Sequence, residues 1–375
     1  MNRRAAEQNP VAGVLIGLGK NLLATFIGIA ITLLLLEIGL RLVYFSNDSR
    51  VLVYPRVASY INGFRDPDFE GGISEGDFRM LALGASAFVT RNFQPEFQRL
   101  MNDDPFFSDE GLRVRVASTG VPAHMTYDSL WKYQFWYANY DFDLVIFYHG
   151  INDARANNYP PEVFRDDYTQ FIYYRQFVQI FDWRDRHPRL SNFFVATLGA
   201  KIFGWFKIRL DPDFQSSPYN KPSDDPWLVE GSDIKSARVF EKNLEEMLGL
   251  AKARDQRVLL LTYAYYLPAD YTNQRFMSQL TDYSFKPESV AVEIWGTKEG
   301  VIKAIKTHNE VIRAIAARHP EALFFDMERF IPKDSEHFID VCHWTDKGRA
   351  RFAEGVSQAL RDASESVLAP ALGRR

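Results

Sequence analysis

Short apolar runs that each end in a polar, glycine-bearing turn constrain this chain more than any other feature. Arg79-Met80-Leu81-Ala82-Leu83 runs into Gly84-Ala85-Ser86, and Asp143-Leu144-Val145-Ile146-Phe147-Tyr148-His149 runs into Gly150-Ile151-Asn152-Asp153. Between them, residues 112–117 alternate like a strand and lead to Gly120. Two further strand-like runs, 257–261 and 322–326, follow without a glycine turn. Segments with apolar residues at helical spacing fall between the runs, at 93–101, 122–140, 236–253 and 301–318. Alternating strand and helix predicts an α/β fold with a parallel sheet covered on both faces, and such sheets place ligands at the C-terminal ends of their strands. Every polar turn named above falls on that edge.

The stretch Phe338-Ile339-Asp340-Val341-Cys342-His343-Trp344-Thr345 supplies the chemistry. An Asp three residues before a His can fold its carboxylate back onto one imidazole nitrogen, which leaves the other as a general base. Ser86 is the best nucleophile for that base, because a neutral serine attacks poorly without one. Thr345 is the expected N-cap of a last amphipathic helix through Phe352, Val356 and Leu360. Cys342 reads as a small buried hydrophobe, since adjacent loop residues rarely face one atom. His124, His149 and His337 form no ligand cluster, so no metal and no cofactor are expected. His149, beside Gly150, reads as core.

Taken in order, Gly84-Ala85-Ser86, Gly120, Gly150-Ile151-Asn152-Asp153 and Asp340-Val341-Cys342-His343 resemble the sequence blocks of the SGNH (GDSL-type) hydrolase superfamily, over roughly residues 78–360. The resemblance implies a flavodoxin-like three-layer α/β/α core. It also implies that Ser86 is the nucleophile, His343 the general base and Asp340 the orienting acid. The implied oxyanion hole is made of the Ser86 and Gly120 backbone N–H groups and the Asn152 side-chain amide. Ala85 stands where the family usually has Asp, which implies altered turn packing and intact chemistry. The related Gly-x-Ser-x-Gly elbow fits less well, because Phe88 occupies the place of its second glycine.

The N-terminus bears on location. Residues 21–36 carry no charge and the apolar run continues past Glu37 to Phe45; roughly 20 helical residues at about 1.5 Å each cross a bilayer core. No small-x-small cleavage site follows, so an uncleaved anchor is expected rather than a signal peptide. Glu37 either pairs with Arg41 at i, i+4 or points to head groups. Arg3, Arg4 and Lys20 before the run fit a cytoplasmic N-terminus, with the bulk of the chain on the extracytoplasmic (periplasmic) side.

The expected layout is a tail at 1–20, an anchor at 21–45, a stalk at 46–77, a domain at 78–365 and a tail at 366–375. An aromatic-rich insertion at 154–233 interrupts the domain; a small helical subdomain packing its aromatics on the core is preferred to a lid. The net charge of −4 over 375 residues is interspersed, which argues against nucleic-acid partners. The expected activity is that of a membrane-anchored serine esterase, with an acylated envelope glycan or lipid as substrate. An O-acyltransferase using the same residues and a catalytically silent glycan-binding module are the other readings. The full set of Ser, His, Asp and oxyanion donors argues against the silent module.

Overall fold

The computed structural model describes residues 10–46, 74, 76–89, 93–168, 170, 186–187, 189–190, 193–209, 230–363 and 367–373. They belong to two compact units, Met1–Ala58 with Tyr173–Gln215, and Ser59–Ile172 with Ser216–Arg375.

The first unit contains helix α1 (Pro10–Ser46) and an insertion helix (Phe194–Arg209). Proline at the first helical position lacks only an N–H that would be unpaired there, so α1 begins well before the expected anchor. Its Leu18–Leu42 stretch has a mean hydropathy of 2.3 and is long enough to cross a membrane. Within that stretch Thr25 and Thr32 donate their hydroxyls to the carbonyls of Asn21 and Gly28 one turn back, which satisfies them inside the helix. Most of the expected stalk, the extreme tails and the aromatics Phe171, Tyr173, Tyr174, Phe177, Phe181 and Trp183 lie outside the described residues. Of the insertion's remaining aromatics, Phe193, Phe203 and Phe206 are exposed, so the expectation that they pack on the core does not hold for these three. The insertion helix has apolar residues on every side and cannot bury them all against one neighbour.

The second unit holds a parallel sheet of five strands: β1 (Phe78–Leu83), β2 (Val114–Ser118), β3 (Leu144–Phe147), β4 (Arg257–Leu261) and β5 (Leu323–Phe325). Their order is β2-β1-β3-β4-β5, with Phe78 opposite Val114, Met80 opposite Leu144 and Leu259 opposite Leu323. This is the flavodoxin-like order, and its direction reverses between β1 and β3. Alternation along β1 sends Met80 and Ala82 to one face and Leu81 and Leu83 to the other.

Helices α2 (Phe93–Asp103), α3 (Thr126–Trp131), α4 (Ser236–Ala253), α5 (Lys298–Arg318) and α6 (Asp346–Asp362) cover the sheet. Phe93, Phe97 and Met101 of α2 meet Phe352, Val356 and Leu360 of α6 on one face. Leu130 of α3 joins Phe240, Leu244 and Met247 of α4 on the other. Thr345 caps α6 by accepting from Gly348 N, and Thr297 caps α5 by accepting from Gly300 N, which starts α5 before the expected residue 301. The helix expected at 122–140 is shorter. Asp128 reaches back to Met125 N and delays the start, and Tyr137 N bonds to Lys132 O, five residues back, in a π turn over Lys132–Trp136. The chain also stays in this unit beyond Ala154, because Asn157 accepts from Ser236 N and Asn158 donates to Trp295 O.

One aromatic group joins the sheet edge to α6. Phe352, fully buried, lies 4.7 Å from Trp344, 5.3 Å from Tyr148 and 5.7 Å from Phe88 between ring centroids. Truncating the residue that all three rings share leaves a cavity that this tight packing cannot refill. Phe352→Ala is expected to lose about 3–5 kcal/mol of unfolding free energy, measured by denaturant titration of the detergent-solubilised chain. A loss near zero contradicts that role.

Candidate active site

β1 delivers Ser86 to the sheet edge. Ser86–Phe88 form a single 3-10 turn in which Phe88 N bonds to Ala85 O at 3.1 Å and Val89 N to Ser86 O at 3.1 Å. Phe88 plunges into the core and stacks on Phe93 with centroids 4.7 Å apart, which leaves Ser86 half-buried above it. The turn after β2 closes on this one. A Cβ at Gly120 would stand 2.8 Å from Ala85 O and 2.9 Å from the Phe88 Cβ, so only glycine fits. Ser118 Oγ donates to Phe88 O at 3.0 Å and accepts from Gly120 N at a long 3.3 Å.

The Asp340–His343 turn is built as a closed loop. Ile339 N donates to His343 O at 2.9 Å, Phe338 bridges Trp344, and Tyr266 N donates to Val341 O at 3.0 Å. Inside it, Asp340 Oδ1 accepts from Cys342 N at 2.9 Å and His343 N at 2.8 Å. Asp340 Oδ2 accepts from Val290 N at 2.9 Å and faces His343 Nδ1 at 2.7 Å. The other imidazole nitrogen, Nε2, lies 2.8 Å from Ser86 Oγ. The structure therefore brings together Ser86, His343 and Asp340, from opposite ends of the second unit's sequence. Burial opposes a charge on His343, but the adjacent Asp340 carboxylate outweighs it and raises the imidazole pKa well above its ordinary value.

Asn152 follows β3. Its Nδ2 donates to His124 O at 2.9 Å, in the loop that starts at Gly120, and its Oδ1 accepts from Trp295 Nε1 at 2.7 Å. That pair of bonds fixes which way the amide points. A Cβ at Gly150 would come within 2.6 Å of Tyr263, so this turn sits directly against the end of β4. His308 clamps it from α5. Its Nδ1 donates to Gly150 O at 2.9 Å and its Nε2 accepts from Ser236 Oγ at 2.8 Å; burial lowers its pKa to about 4, so it is neutral. Asp153 accepts from Thr126 Oγ1 at 2.6 Å and Tyr168 OH at 3.1 Å, and burial raises its pKa to about 7.

Beneath the loop lies a second polar layer. Lys132, fully buried, donates from Nζ to Thr119 O at 2.8 Å, the carbonyl of the peptide whose N–H belongs to Gly120. Burial lowers its pKa to about 7 against the pull of Asp128. His149 bonds Ser129 Oγ at 2.8 Å, and burial, then Lys132, lowers its pKa to about 3. Cys342 is buried and burial raises its thiol pKa, which is the reverse of what a nucleophilic cysteine needs. Asp340, Cys342 and His343 present ligand atoms within 4.8 Å of one another, the spacing of a metal trio. Both Asp340 oxygens and His343 Nδ1 are already engaged in hydrogen bonds within the protein, however.

With this geometry in view, a comparison with solved structures returns matches of low identity. A GDSL-like lipase from Bacteroides thetaiotaomicron matches at 16% identity over 78% of this chain and 91% of that one, with a TM-score of 0.38. The acetyl xylan esterase AlAXEase matches at 14% identity over 75% and 99%, with a TM-score of 0.40. TesA matches at 15% identity over 76% and 98%, with a TM-score of 0.38. A scan of protein-family models and a search of curated proteins return no match.

Sequence reasoning missed Val290, Trp295, Lys132 and His308. Val290 and Trp295 sit in the irregular 262–297 connection, where no periodicity marks them. Lys132 and His308 look like ordinary helix residues, and only their depth distinguishes them. Trp295→Phe removes the donor to Asn152 Oδ1 and leaves a buried oxygen unpaired, with an expected cost of about 1–3 kcal/mol. A double-mutant cycle with Asn152→Ala should show coupling of roughly 1 kcal/mol in unfolding free energy; additive losses contradict the bond.

Proposed function

We propose that this chain is a serine hydrolase of the SGNH type that cleaves O-acyl esters, with Ser86 as nucleophile, His343 as general base and Asp340 as the acid that orients it. The observation that carries the reading is the continuous relay from Ser86 Oγ to His343 Nε2 at 2.8 Å and from His343 Nδ1 to Asp340 Oδ2 at 2.7 Å. Ser86 Oγ attacks the acyl carbon while its proton passes to His343 Nε2, and the imidazolium then gives that proton to the departing alkoxide. Water next attacks the acyl-serine, its proton going to His343 and then back to Ser86. The free acid and the starting enzyme result. A sugar hydroxyl in place of that water completes an acyl transfer instead.

The tetrahedral oxyanion requires donors aimed at it. Asn152 supplies an amide N–H, the Nδ2 proton not used by His124 O, and Ser86 and Gly120 supply backbone N–H groups. Gly120 N must exchange its long bond to Ser118 for the oxyanion. Lys132 on the Thr119 carbonyl draws electron density from that same peptide and so favours the exchange.

In this reading Leu18–Leu42 is a membrane span, the N-terminus is cytoplasmic and the hydrolase unit lies outside; the length and hydropathy of the stretch support the span, and Lys20 near its start supports the orientation. An acylated envelope glycan or lipid is the substrate class that suits such an enzyme. Incubating an acyl donor with and without a glycan acceptor, and analysing the products, separates hydrolysis from transfer.

Ser86→Ala and His343→Ala should each lower kcat for a small ester by roughly 10⁴-fold or more in folded protein, and the double variant should be hardly worse. Multiplying losses would sink the triad. The pH dependence has a definite sign. His343 works as a base only when neutral, so kcat/KM rises with pH through its pKa, which Asp340 holds high. Asp340→Asn removes that raising charge; the ascending limb should move to lower pH while the plateau falls. A limb that stays in place shows that Asp340 does not act through His343.

A further inference from the structure

The described residues of the first unit present a puzzle that the hydrolase reading does not touch. Glu37 lies inside the apolar Leu18–Leu42 stretch, yet its side chain is shielded. Its Oε1 accepts from Arg41 Nε at 2.7 Å and from Phe194 N at 3.1 Å, and its Oε2 accepts from Val195 N at 2.9 Å. Two of the three donors thus belong to the first turn of the insertion helix, where backbone N–H groups have no partner of their own and the helix dipole favours a negative charge. The Arg41 guanidinium also lies over the Phe194 ring, 5.3 Å from its centroid.

Depth follows from these bonds. A carboxylate in an apolar layer must have both oxygens satisfied. Glu37 stands five residues before Leu42, about 7.5 Å along the helix axis. A segment that donates to it lies at the same depth.

The insertion helix suits such a place. Between Phe194 and Arg209 it has no acidic residue and reads Phe-Val-Ala-Thr-Leu-Gly-Ala-Lys-Ile-Phe-Gly-Trp-Phe-Lys-Ile-Arg. Phe203 is 72% exposed and Ile202, Phe206, Phe193 and Leu190 are each about half exposed. In water that surface is a liability; against acyl chains it is buried. At about 1.5 Å per residue the helix measures some 24 Å, short of the roughly 30 Å hydrocarbon core, so it does not cross.

We propose that the Phe194–Arg209 helix is a second membrane-seated element, docked on the N-terminal span through Glu37 and lying with its apolar side chains in the lipid of the same bilayer. The proposal rests on the reading of Leu18–Leu42 as a span. It makes part of the insertion an attachment to the lipid surface.

The chain's one cysteine, Cys342, is buried, so single-cysteine labelling in a Cys342→Ala background is direct. The full chain is reconstituted in phosphatidylcholine–phosphatidylglycerol vesicles. Rates of reaction with a water-soluble maleimide are compared for Phe26→Cys in the span, Phe203→Cys and Phe206→Cys in the insertion helix, and Met277→Cys, which is 71% exposed in the hydrolase unit. Positions 203 and 206 should react at least about tenfold more slowly than 277, as 26 does, and should stay protected when the chain is diluted to about one copy per vesicle.

Rapid labelling at 203 and 206 with 26 protected overturns the proposal and leaves the span standing. Rapid labelling at 26 as well removes the span reading and this proposal together. Protection lost on dilution means that a second copy, not lipid, covers the helix, which also overturns the proposal. For the docking bond, cysteines at 41 and 194 should be joined in vesicles by a short bifunctional maleimide. Glu37→Leu should lower that yield at least about fivefold, as expected when a first-turn carboxylate is lost from a helix end. An unchanged yield shows that Glu37 does not hold the helix.

Discussion

The buried carboxylate of Asp340 is the constraint on which the rest of the second unit depends. A charge taken from water is tolerated only where donors replace the lost hydration, and here Val290 N, Cys342 N, His343 N and His343 Nδ1 do so. Three of the four donors come from its own turn and close that turn tightly. The fourth, Val290, belongs to the connection between β4 and α5 and ties that irregular segment to the site. With the turn closed, His343 has one orientation, and the next residue, Trp344, enters the aromatic group that also holds Phe88 beneath Ser86. Ser86 and His343 are thus positioned by one packed cluster, although 256 residues lie between them in sequence.

A parallel sheet places its strand ends together but leaves the turn backbone there in need of partners. Buried side chains from the helices supply them. His308 serves Gly150 O, Lys132 serves Thr119 O, Asn309 takes both Tyr263 N and Tyr263 O, and Asn152 serves His124 O. These residues are polar at core depth, and that is intelligible only as the cost of packing three turns against one another. The glycines serve the same end. Gly120 and Gly150 stand where a Cβ would strike the neighbouring turn. The resulting edge is closely packed, as the proposed oxyanion site requires, since its donors must be aimed before charge develops.

The described residues of the first unit are arranged differently. Among them, Thr25 and Thr32 donate their hydroxyls to carbonyls one turn back, and the Glu37 carboxylate accepts from Arg41 and two backbone N–H groups. Described apolar side chains such as Phe26, Leu34 and Phe203 face outward. The second unit shows the reverse arrangement, with apolar side chains inside and ion pairs such as Arg318 with Glu241 and Glu245 at the surface. The exposed Phe193, Phe203 and Phe206 of the insertion share the pattern of the first unit.

Periodicity and local turn chemistry were legible in the chain itself. The strand runs, the Thr345 cap, the helix over 236–253 and the Asp-x-x-His turn each depend on residues close in sequence, and each was expected from them. The apolar N-terminal helix was legible for the same reason, because composition over some twenty residues decides it. Tertiary structure alone determined what the irregular 262–297 segment does, since Val290 and Trp295 gain meaning only from the carboxylate and the amide they meet. The same holds for Lys132 and His308, whose helix positions look ordinary until depth removes the water around them. Glu37 shows the division most plainly. Its pairing with Arg41 follows from a spacing of four, whereas its bonds to Phe194 and Val195 span more than 150 residues, and no local pattern encodes a contact of that kind.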